Sequence, residues 1–182
     1  MSTDSKNQVF ELSIPENVTI NVLDSLLSVK GPKGECSKEF SKIPVVVSIG
    51  NQSILVKPFS LRKKSVSIAN TFRSLISNMI DGVINGHTYK LKIVYSHFPI
   101  TVKINGDQVH IENFLGERAP RVADIRGQCN VSADKDDVTV TGISKEDVSQ
   151  TAANIEQSTK IKRKDHESFD YSYFTKEMGG SL

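Results

Sequence analysis

One sequence pattern occurs twice in this chain of 182 residues, and the two copies lie about 84 residues apart. In the first copy, the strand-like alternation Ile54–Lys57 is followed by a helical stretch that contains Ala69-Asn70. The second copy repeats both features, with Val138–Thr141 followed by Ala153-Asn154. A solenoid repeat spans only about 20–50 residues. The longer spacing here therefore predicts one small domain that is duplicated in tandem.

The first copy contains short strands ahead of its helix. Val18–Val22 alternates apolar and polar residues, which is typical of a half-buried strand. Leu26–Lys30 follows after a short turn as its antiparallel partner. Further short strands are expected at Glu35–Phe40 and Val45–Ile49. An antiparallel sheet is therefore expected before residue 60.

The helix of the first copy is indicated by apolar residues at intervals of three or four, which place them on one face. They are Val66, Ala69, Phe72, Ile76, Met79 and Ile80. We expect Ser60 or Ser65 to cap the start of this helix. Gly82 is expected to end it as the C-cap.

The second copy predicts the same arrangement, and it opens with a strand at Tyr89–Val94, which contains Lys90 and Lys92. Val102–Asn105 and Val109–Glu112 are expected to form a hairpin, and Ser144 is expected to cap a helix with acidic residues in its first turn. The predicted fold class is therefore α+β, with two tandem duplicated domains, 1–85 and 86–182, each an antiparallel β-sheet packed against one α-helix. The tail from Lys160 onward has no counterpart in the first copy, so it is a C-terminal extension of the second domain.

The composition argues against membrane, metal and cofactor functions. No apolar run approaches the roughly 18 residues of a membrane helix, and residues 1–9 lack the apolar core of a signal peptide. A cytosolic protein without a membrane partner is expected. Cys36 and Cys129 lie far apart with no His–Cys cluster nearby, which predicts two reduced thiols and no metal site. No Walker loop or dinucleotide fingerprint is present, so no cofactor or small-molecule substrate is expected.

Nothing in the sequence argues for catalysis. His97 follows Ser96, but this serine lacks a nucleophile-elbow setting, so a hydrogen-bonded structural histidine is favoured. The paired acids Asp136-Asp137 are better explained by a solvated loop than by acid–base chemistry, which requires a cleft. We therefore expect no enzymatic activity and no catalytic residue.

Basic residues are clustered although the net charge is only +2. Four of the five residues from Lys160 to Lys164 are basic, and four aromatic residues follow: Phe169, Tyr171, Tyr173 and Phe174. Such a run could be a solvated helix end, where cations meet the negative pole of the dipole. However, four close cations repel one another without a counter-charge, and aromatic rings can stack on bases. A folded RNA suits this combination. Smaller basic clusters are Arg62–Lys64 and the set Arg118, Arg121 and Arg126.

The segment Gly31–Gly34 matches a GxxG pattern, which clamps a nucleic-acid backbone in KH domains. That clamp requires flanking helices, whereas this segment lies between predicted strands. A structural turn is favoured, although Lys33 could still reach a phosphate.

Five segments, in order along the chain, carry a resemblance to a known family. They are Ile14–Val18, Val29–Gly34, His97–Ile100, Asn113–Glu117 and Lys162–Asp165. Together they resemble the large-subunit ribosomal protein family numbered sixth in bacteria and ninth in eukaryotes. The resemblance spans nearly the whole chain, and its His-Phe-Pro and Asn-Phe-Leu-Gly-Glu forms favour the eukaryotic or archaeal type.

The resemblance implies a structural component of the large ribosomal subunit, with large-subunit rRNA and neighbouring ribosomal proteins as partners. In this family the rRNA site lies near the sarcin–ricin loop and the factor-binding region, and the second domain with its extension makes the main contacts. The RNA-binding residues that this implies are Lys160, Lys162, Arg163, Lys164, Lys90, Lys92, Arg118 and Arg121. The sequence departs from the family at His166–Tyr171, which replace a usual basic residue and Asp-Gly turn. The implied location is the cytoplasmic ribosome, and the nucleolus during assembly if the source is eukaryotic.

Two other classes of function compete with this interpretation. The chain could be a free RNA-binding regulator that uses its basic surface and the Gly31–Gly34 loop on single strands. It could also be a protein-interaction scaffold, whose binding should survive nuclease treatment.

Overall fold

The computed structural model describes residues 9–50, 52–95 and 99–160, together with the strand backbone at 173–176. The chain separates into two compact units, Met1–Gly86 and His87–Leu182. In the described residues, each unit combines one α-helix with antiparallel sheets. This confirms the predicted α+β class and the tandem duplication.

The first unit contains six described strands and one helix. They are β1 (Phe10–Ser13), β2 (Thr19–Leu23), β3 (Leu26–Gly31), β4 (Gly34–Glu39), β5 (Val45–Ile49), β6 (Ser53–Pro58) and α1 (Lys63–Ile84). The strands form two three-stranded antiparallel sheets, in the orders β1-β6-β5 and β2-β3-β4. β1 was not predicted, because its four residues are too few for a period-two pattern to stand out.

The second unit repeats this order. Its elements are β7 (His87–Val94), β8 (Thr101–Asn105), β9 (Gln108–Glu112), a 3-10 turn (Phe114–Gly116), β10 (Arg121–Asp124), β11 (Asn130–Ala133), β12 (Asp137–Gly142), α2 (Lys145–Ser158) and β13 (Tyr173–Lys176). The sheet orders are β10-β9-β8 and β11-β12-β7-β13. The strand register repeats as well, since Ile54 pairs with Ile49 and Val138 pairs with Ala133. The two copies therefore share strand order, direction and register.

The two helices are one residue out of step with the spacing of 84. Their corresponding buried positions are Ala69 with Ala152, Phe72 with Ile155 and Ile76 with Thr159. These pairs lie 83 residues apart, and Ala153 is only half-buried. The buried faces of the two helices are therefore one residue out of step with the Ala-Asn repeat. The connection from sheet to helix is shorter in the second unit, where it comprises residues 143–144, than in the first, where it comprises residues 59–62.

The start of α1 differs from its prediction. The helix begins at Lys63 and Arg62 occupies the N-cap position, where its side chain makes no capping hydrogen bond. Neither Ser60 nor Ser65 is the N-cap. The basic cluster Arg62–Lys64 therefore forms the beginning of the helix.

The end of α1 also differs from its prediction. Gly82 is buried inside the helix, which continues to Ile84 with Asn85 as the C-cap. Val83 is fully buried, so the apolar face extends past Gly82 and packing keeps the chain helical. The left-handed glycine beyond the helix is Gly86, at a φ of 73°.

The start of α2 agrees with its prediction. The Oγ of Ser144 accepts a hydrogen bond from the backbone N–H of Asp147 at 3.3 Å, and Glu146 and Asp147 stand in the first turn. The inward face carries Val148, Ala152 and Ile155, all buried. These side chains pack on the apolar face of the sheet that contains β7 and β12.

Candidate nucleic-acid interface

The two lysines predicted on β7 lie on the outer face of its sheet. Lys90 and Lys92 are exposed, whereas Leu91 and Ile93 are buried in the core with the apolar residues of α2. Because side chains alternate along a strand, both lysines point away from α2. Since they are two positions apart on the strand, their Cα atoms are about 7 Å apart.

The surroundings of these lysines are rich in hydroxyl groups. Thr139 of β12 lies opposite Lys90, and Ser132 of β11 lies opposite Thr139. Thr88 and Thr141 form the next pair along the same face. Hydroxyl side chains and lysines are the groups that commonly contact phosphate and sugar.

One acid lies on this face as well. Asp137 is the register partner of Lys92, and opposite charges on facing residues of neighbouring strands attract. Lys90 has a threonine in the same position. Lys90 is therefore the cation of the pair with the less neutralised surroundings.

Arg121 of β10 is engaged by other groups of the second unit. Its Nε and Nη2 each donate to the carboxylate of Glu117 at 2.8 Å. Its Nη1 donates to the carbonyl oxygen of Ser158 at 3.0 Å and to that of Lys160 at 3.4 Å. The guanidinium carbon also lies 4.2 Å from the centre of the Phe114 ring. This cluster joins β10 to the end of α2.

Arg121 contacts the backbone at the point where the C-terminal extension begins. The last carbonyl groups of a helix have no partner within the helix, and Arg121 supplies a donor to two carbonyls at the end of α2. Lys160 follows this end and its side chain is exposed. The rest of the predicted basic run, Lys162, Arg163 and Lys164, lies outside the described residues.

The loop that holds Glu117 has an unusual backbone. Asn113 and Leu115 adopt left-handed φ values of 58° and 51°, and the Asn113 amide donates to the carbonyl of Pro99 at 3.0 Å. Phe114 is buried. The Asn-Phe-Leu-Gly-Glu segment is therefore a structural loop that presents Glu117 to Arg121. Arg118, which follows it, is exposed.

Lys33 lies in the two-residue turn between β3 and β4 and contacts the end of α1. Its backbone N–H donates to the carbonyl of Val83 at 2.9 Å, and its ammonium donates to the carbonyl of Asn85. A Cβ added to Gly31 would lie 2.7 Å from a methyl of Val83. These contacts give the loop the structural role that was favoured.

The structure thus brings some predicted residues together and separates others. Lys90 and Lys92 share the outer face of a sheet, while Arg121 and Lys160 meet at the end of α2. The sequence did not indicate that Arg121 holds a helix end, because the partners are backbone carbonyls 37 and 39 residues away. β13, which pairs with β7 after the extension, was not predicted either.

The described part of the chain carries neither a metal-holding cluster nor a membrane-spanning helix. Within it, no group of three His, Cys, Asp or Glu residues could hold a metal ion. Over the same residues, no helix has the length and apolar character to cross a membrane. Burial raises the pKa of the Cys129 thiol, opposed by a hydrogen bond with Thr151 and reinforced by the charge of Asp147. Such a shift lowers the reactivity of a thiol at neutral pH. His97 lies outside the described residues.

Comparison with known families shows where this fold belongs. The model of the family described as ribosomal protein L6 matches the chain twice, at residues 14–86 and 98–172. This chain belongs to the ribosomal protein L6 family. Each match lies within one of the two structural units, so the family pattern and the duplicated fold agree. The match confirms the resemblance to this family. The family is structural and not enzymatic, which confirms the expected absence of catalysis.

Relatives support the family over most of the chain, and each carries the name large ribosomal subunit protein uL6. The protein of Methanobrevibacter smithii is 46% identical over 155 residues, which cover 85% of this chain and 87% of the relative. The protein of Methanosphaera stadtmanae is 50% identical, with 85% and 84% covered. That of Methanocella arvoryzae is 43% identical over 170 residues, with 92% and 96% covered. These are archaeal proteins, in agreement with the motif forms.

Proposed function

We propose that this chain is a structural constituent of the large ribosomal subunit, which binds large-subunit rRNA near the sarcin–ricin loop and the factor-binding region and so supports translation. The observation that carries this proposal is its 43–50% identity to proteins named large ribosomal subunit protein uL6. Its partners are rRNA and neighbouring ribosomal proteins. Its location is the cytoplasmic ribosome, after passage through the nucleolus if the source is eukaryotic.

The mechanism is electrostatic docking of a rigid surface onto folded RNA. Cations that neutralise phosphates release condensed counterions, which supplies most of the affinity without reading sequence. In the second unit the principal cations are Lys160, Lys162, Arg163 and Lys164. Lys90 and Lys92 add a second patch, where the neighbouring hydroxyl groups of β11 and β12 bind sugar and phosphate oxygens.

The remaining predicted residues contribute in different ways. Arg118 is exposed and contacts phosphate directly. Arg121 uses its donors within the protein, so it contributes by fixing the position of Lys160. The ammonium of Lys33 already donates to the Asn85 carbonyl. Since an ammonium has three donors, Lys33 keeps two for a phosphate and is the weakest of these contacts.

The salt dependence of binding tests this proposal. The measurement is the affinity of the full chain for deproteinised large-subunit RNA of Methanobrevibacter smithii over a range of KCl concentrations. Replacing Lys162, Arg163 and Lys164 with alanine should reduce the slope of log affinity against log salt by about 2–3, since each lost phosphate contact removes roughly 0.7–0.9.

A matched control separates contact from net charge. Lys30, Lys135 and Lys145 are exposed lysines scattered over both units, and replacing them with alanine removes the same charge. An equal slope in wild type, test variant and control would contradict the basic run as a contact site. In a parallel gradient, the wild-type protein should travel with large subunits in moderate salt. A protein that binds RNA yet stays at the top of the gradient would instead be a free regulator.

A further inference from the structure

The first unit has a positive net charge, whereas the second unit does not. Residues 1–86 include ten basic and seven acidic residues, a net charge of +3, whereas residues 87–182 include thirteen basic and fourteen acidic residues, a net charge of −1. Between Glu39 and Asp81 there is no acid at all. Six cations lie in that stretch: Lys42, Lys57, Arg62, Lys63, Lys64 and Arg73. The first unit therefore has an electrostatic surface of its own for a polyanion.

The most exposed part of this stretch is the segment from Phe59 to Lys64, between β6 and the first turn of α1. Phe59 is 77% exposed and Leu61 is 64% exposed. Arg62, Lys63 and Lys64 are all exposed. Among the described residues, no ion pair engages any of these three cations. Two large apolar side chains and three cations without an ion pair to the described residues therefore share six consecutive residues.

A polar stripe continues from this segment along α1. Ser67, Thr71 and Ser74 are exposed at helical spacing, and the helix rises about 16 Å from Lys63 to Ser74. The hydroxyls of Thr71 and Ser74 donate to backbone carbonyls four residues earlier, at 2.9 and 3.1 Å. Their oxygen lone pairs consequently face outward as acceptors, and a ribose 2′-hydroxyl is a donor that matches them.

We propose that the Phe59–Lys64 segment, with the polar stripe of α1, is a second RNA-binding surface, on the first unit. The three cations contact successive phosphates, the Phe59 ring stacks on an unpaired base, and the stripe follows the sugar–phosphate backbone. This inference rests on the proposed function for the identity of the RNA, which is large-subunit rRNA.

An acidic protein segment is the competing occupant, and the stripe argues against it. A peptide that docks on a helix face places apolar side chains in an apolar groove. No large apolar side chain of α1 is exposed. Beyond Leu61, the exposed side chains as far as Ser74 are cations, hydroxyl groups and the amide of Asn70. An RNA backbone is bound by positive charge and by hydrogen bonds. Residues 62–64 supply the charge, and the hydroxyl groups of α1 supply hydrogen-bonding partners for the sugars.

The first test is the salt dependence of RNA binding by the full chain, with the same archaeal RNA. Replacing Arg62, Lys63 and Lys64 with alanine should reduce the slope by about 2–3 and weaken binding at least tenfold at 100 mM KCl. The scattered variant K30A/K135A/K145A is the control. A triple variant whose slope equals that of this control would overturn the inference. The proposed function would still stand if the wild type binds and the Lys162–Lys164 variant loses affinity.

The second test identifies the occupant without removing any cation. A photoreactive phenylalanine analogue is placed at position 59 of the full chain, which is assembled into large subunits and irradiated. The expected product is the protein joined to an RNA fragment that nuclease trims and protease does not. A product joined only to another protein, or no product at all, would contradict an RNA-binding surface. Because the exposed Phe59 ring makes no core contribution, this variant folds irrespective of the outcome for the alanine variant.

Discussion

The two helix starts of this duplicated fold carry opposite charges on the same architecture. α2 begins with Ser144 as cap and Glu146 and Asp147 in its first turn, which complements the positive pole of the helix. α1 begins with Arg62, Lys63 and Lys64, with no capping side chain and no acid in its first turn. The strand order and register of the two units nevertheless correspond. Sheet pairing and core packing thus determine this fold. The charge and the capping residue at a helix start can differ between the two units without changing it.

A second difference concerns one connection. β3 and β4 are joined by the two residues Pro32-Lys33, whereas β9 and β10 are joined by the longer loop from Asn113 to Pro120. The added residues include Glu117, which holds Arg121 against the end of α2. The extension of the second unit thus begins from a helix end that this loop stabilises.

The largest expected effect tests whether the two units are independent domains, which we propose with the bounds 1–85 and 86–182. Phe72 is buried in the first unit, with its ring 5.3 Å from that of Phe40. Phe72→Ala should cost about 3–5 kcal/mol of stability through the cavity it leaves. Amide hydrogen exchange should then show lower protection in residues 9–86 and unchanged protection in the second unit. Simultaneous loss of protection in both units would show one cooperative domain.

The next effect tests the Arg121 cluster, which the first unit lacks. Arg121→Ala should destabilise the second unit by about 1–3 kcal/mol, because it removes charged hydrogen bonds and the contact with Phe114. Arg121→Lys keeps the charge but loses the two parallel bonds to Glu117, so it should recover less than half of this loss. Denaturant unfolding of the three proteins provides the measurement. Full recovery by lysine would show that charge alone matters.

The smallest effect compares the helix starts directly. Ser144→Ala should cost about 1 kcal/mol, since the side chain caps α2. Ser65→Ala should change stability by a few tenths of a kcal/mol at most, because Ser65 caps nothing at the start of α1. Thermal unfolding of both variants would check this. A comparable loss in the two variants would mean that α1 has a serine cap after all.

The parts of the fold that sequence predicted are those with local signals. The hairpin around Gly106-Asp107, the Ser144 cap and the apolar helix faces each depend on residues within a few positions of one another. The four-residue strands β1, β10 and β11 were missed because alternation over four residues is a weak signal. The prediction that α1 ends at Gly82 was wrong. Glycine often ends a helix, but here the burial of Val83 in the core keeps the chain helical beyond it.

In the candidate site, too, the features with a local sequence signal were predicted and those that depend on distant residues were not. Lys90 and Lys92 could be placed on a strand from the sequence, and both are exposed. The contacts of Arg121 with the carbonyls of Ser158 and Lys160 could not, because backbone carbonyls leave no trace in side-chain patterns. The same holds for Lys33, whose partner Asn85 is 52 residues away. Cations counted as free in a sequence can be helix-end donors in the fold.

The matching strand order has a consequence for how the chain is made. A tandem repeat can misfold when a strand of one copy pairs with the sheet of the other. Here β12, the counterpart of β6, lies more than fifty residues beyond Gly86, where the first unit ends. At roughly 5–20 residues per second, the remaining 96 residues take about 5–20 seconds to synthesise. Small mixed domains fold far faster than that. The first copy can therefore complete its sheets before β12 is synthesised, and the order of synthesis protects β6 from replacement by its counterpart.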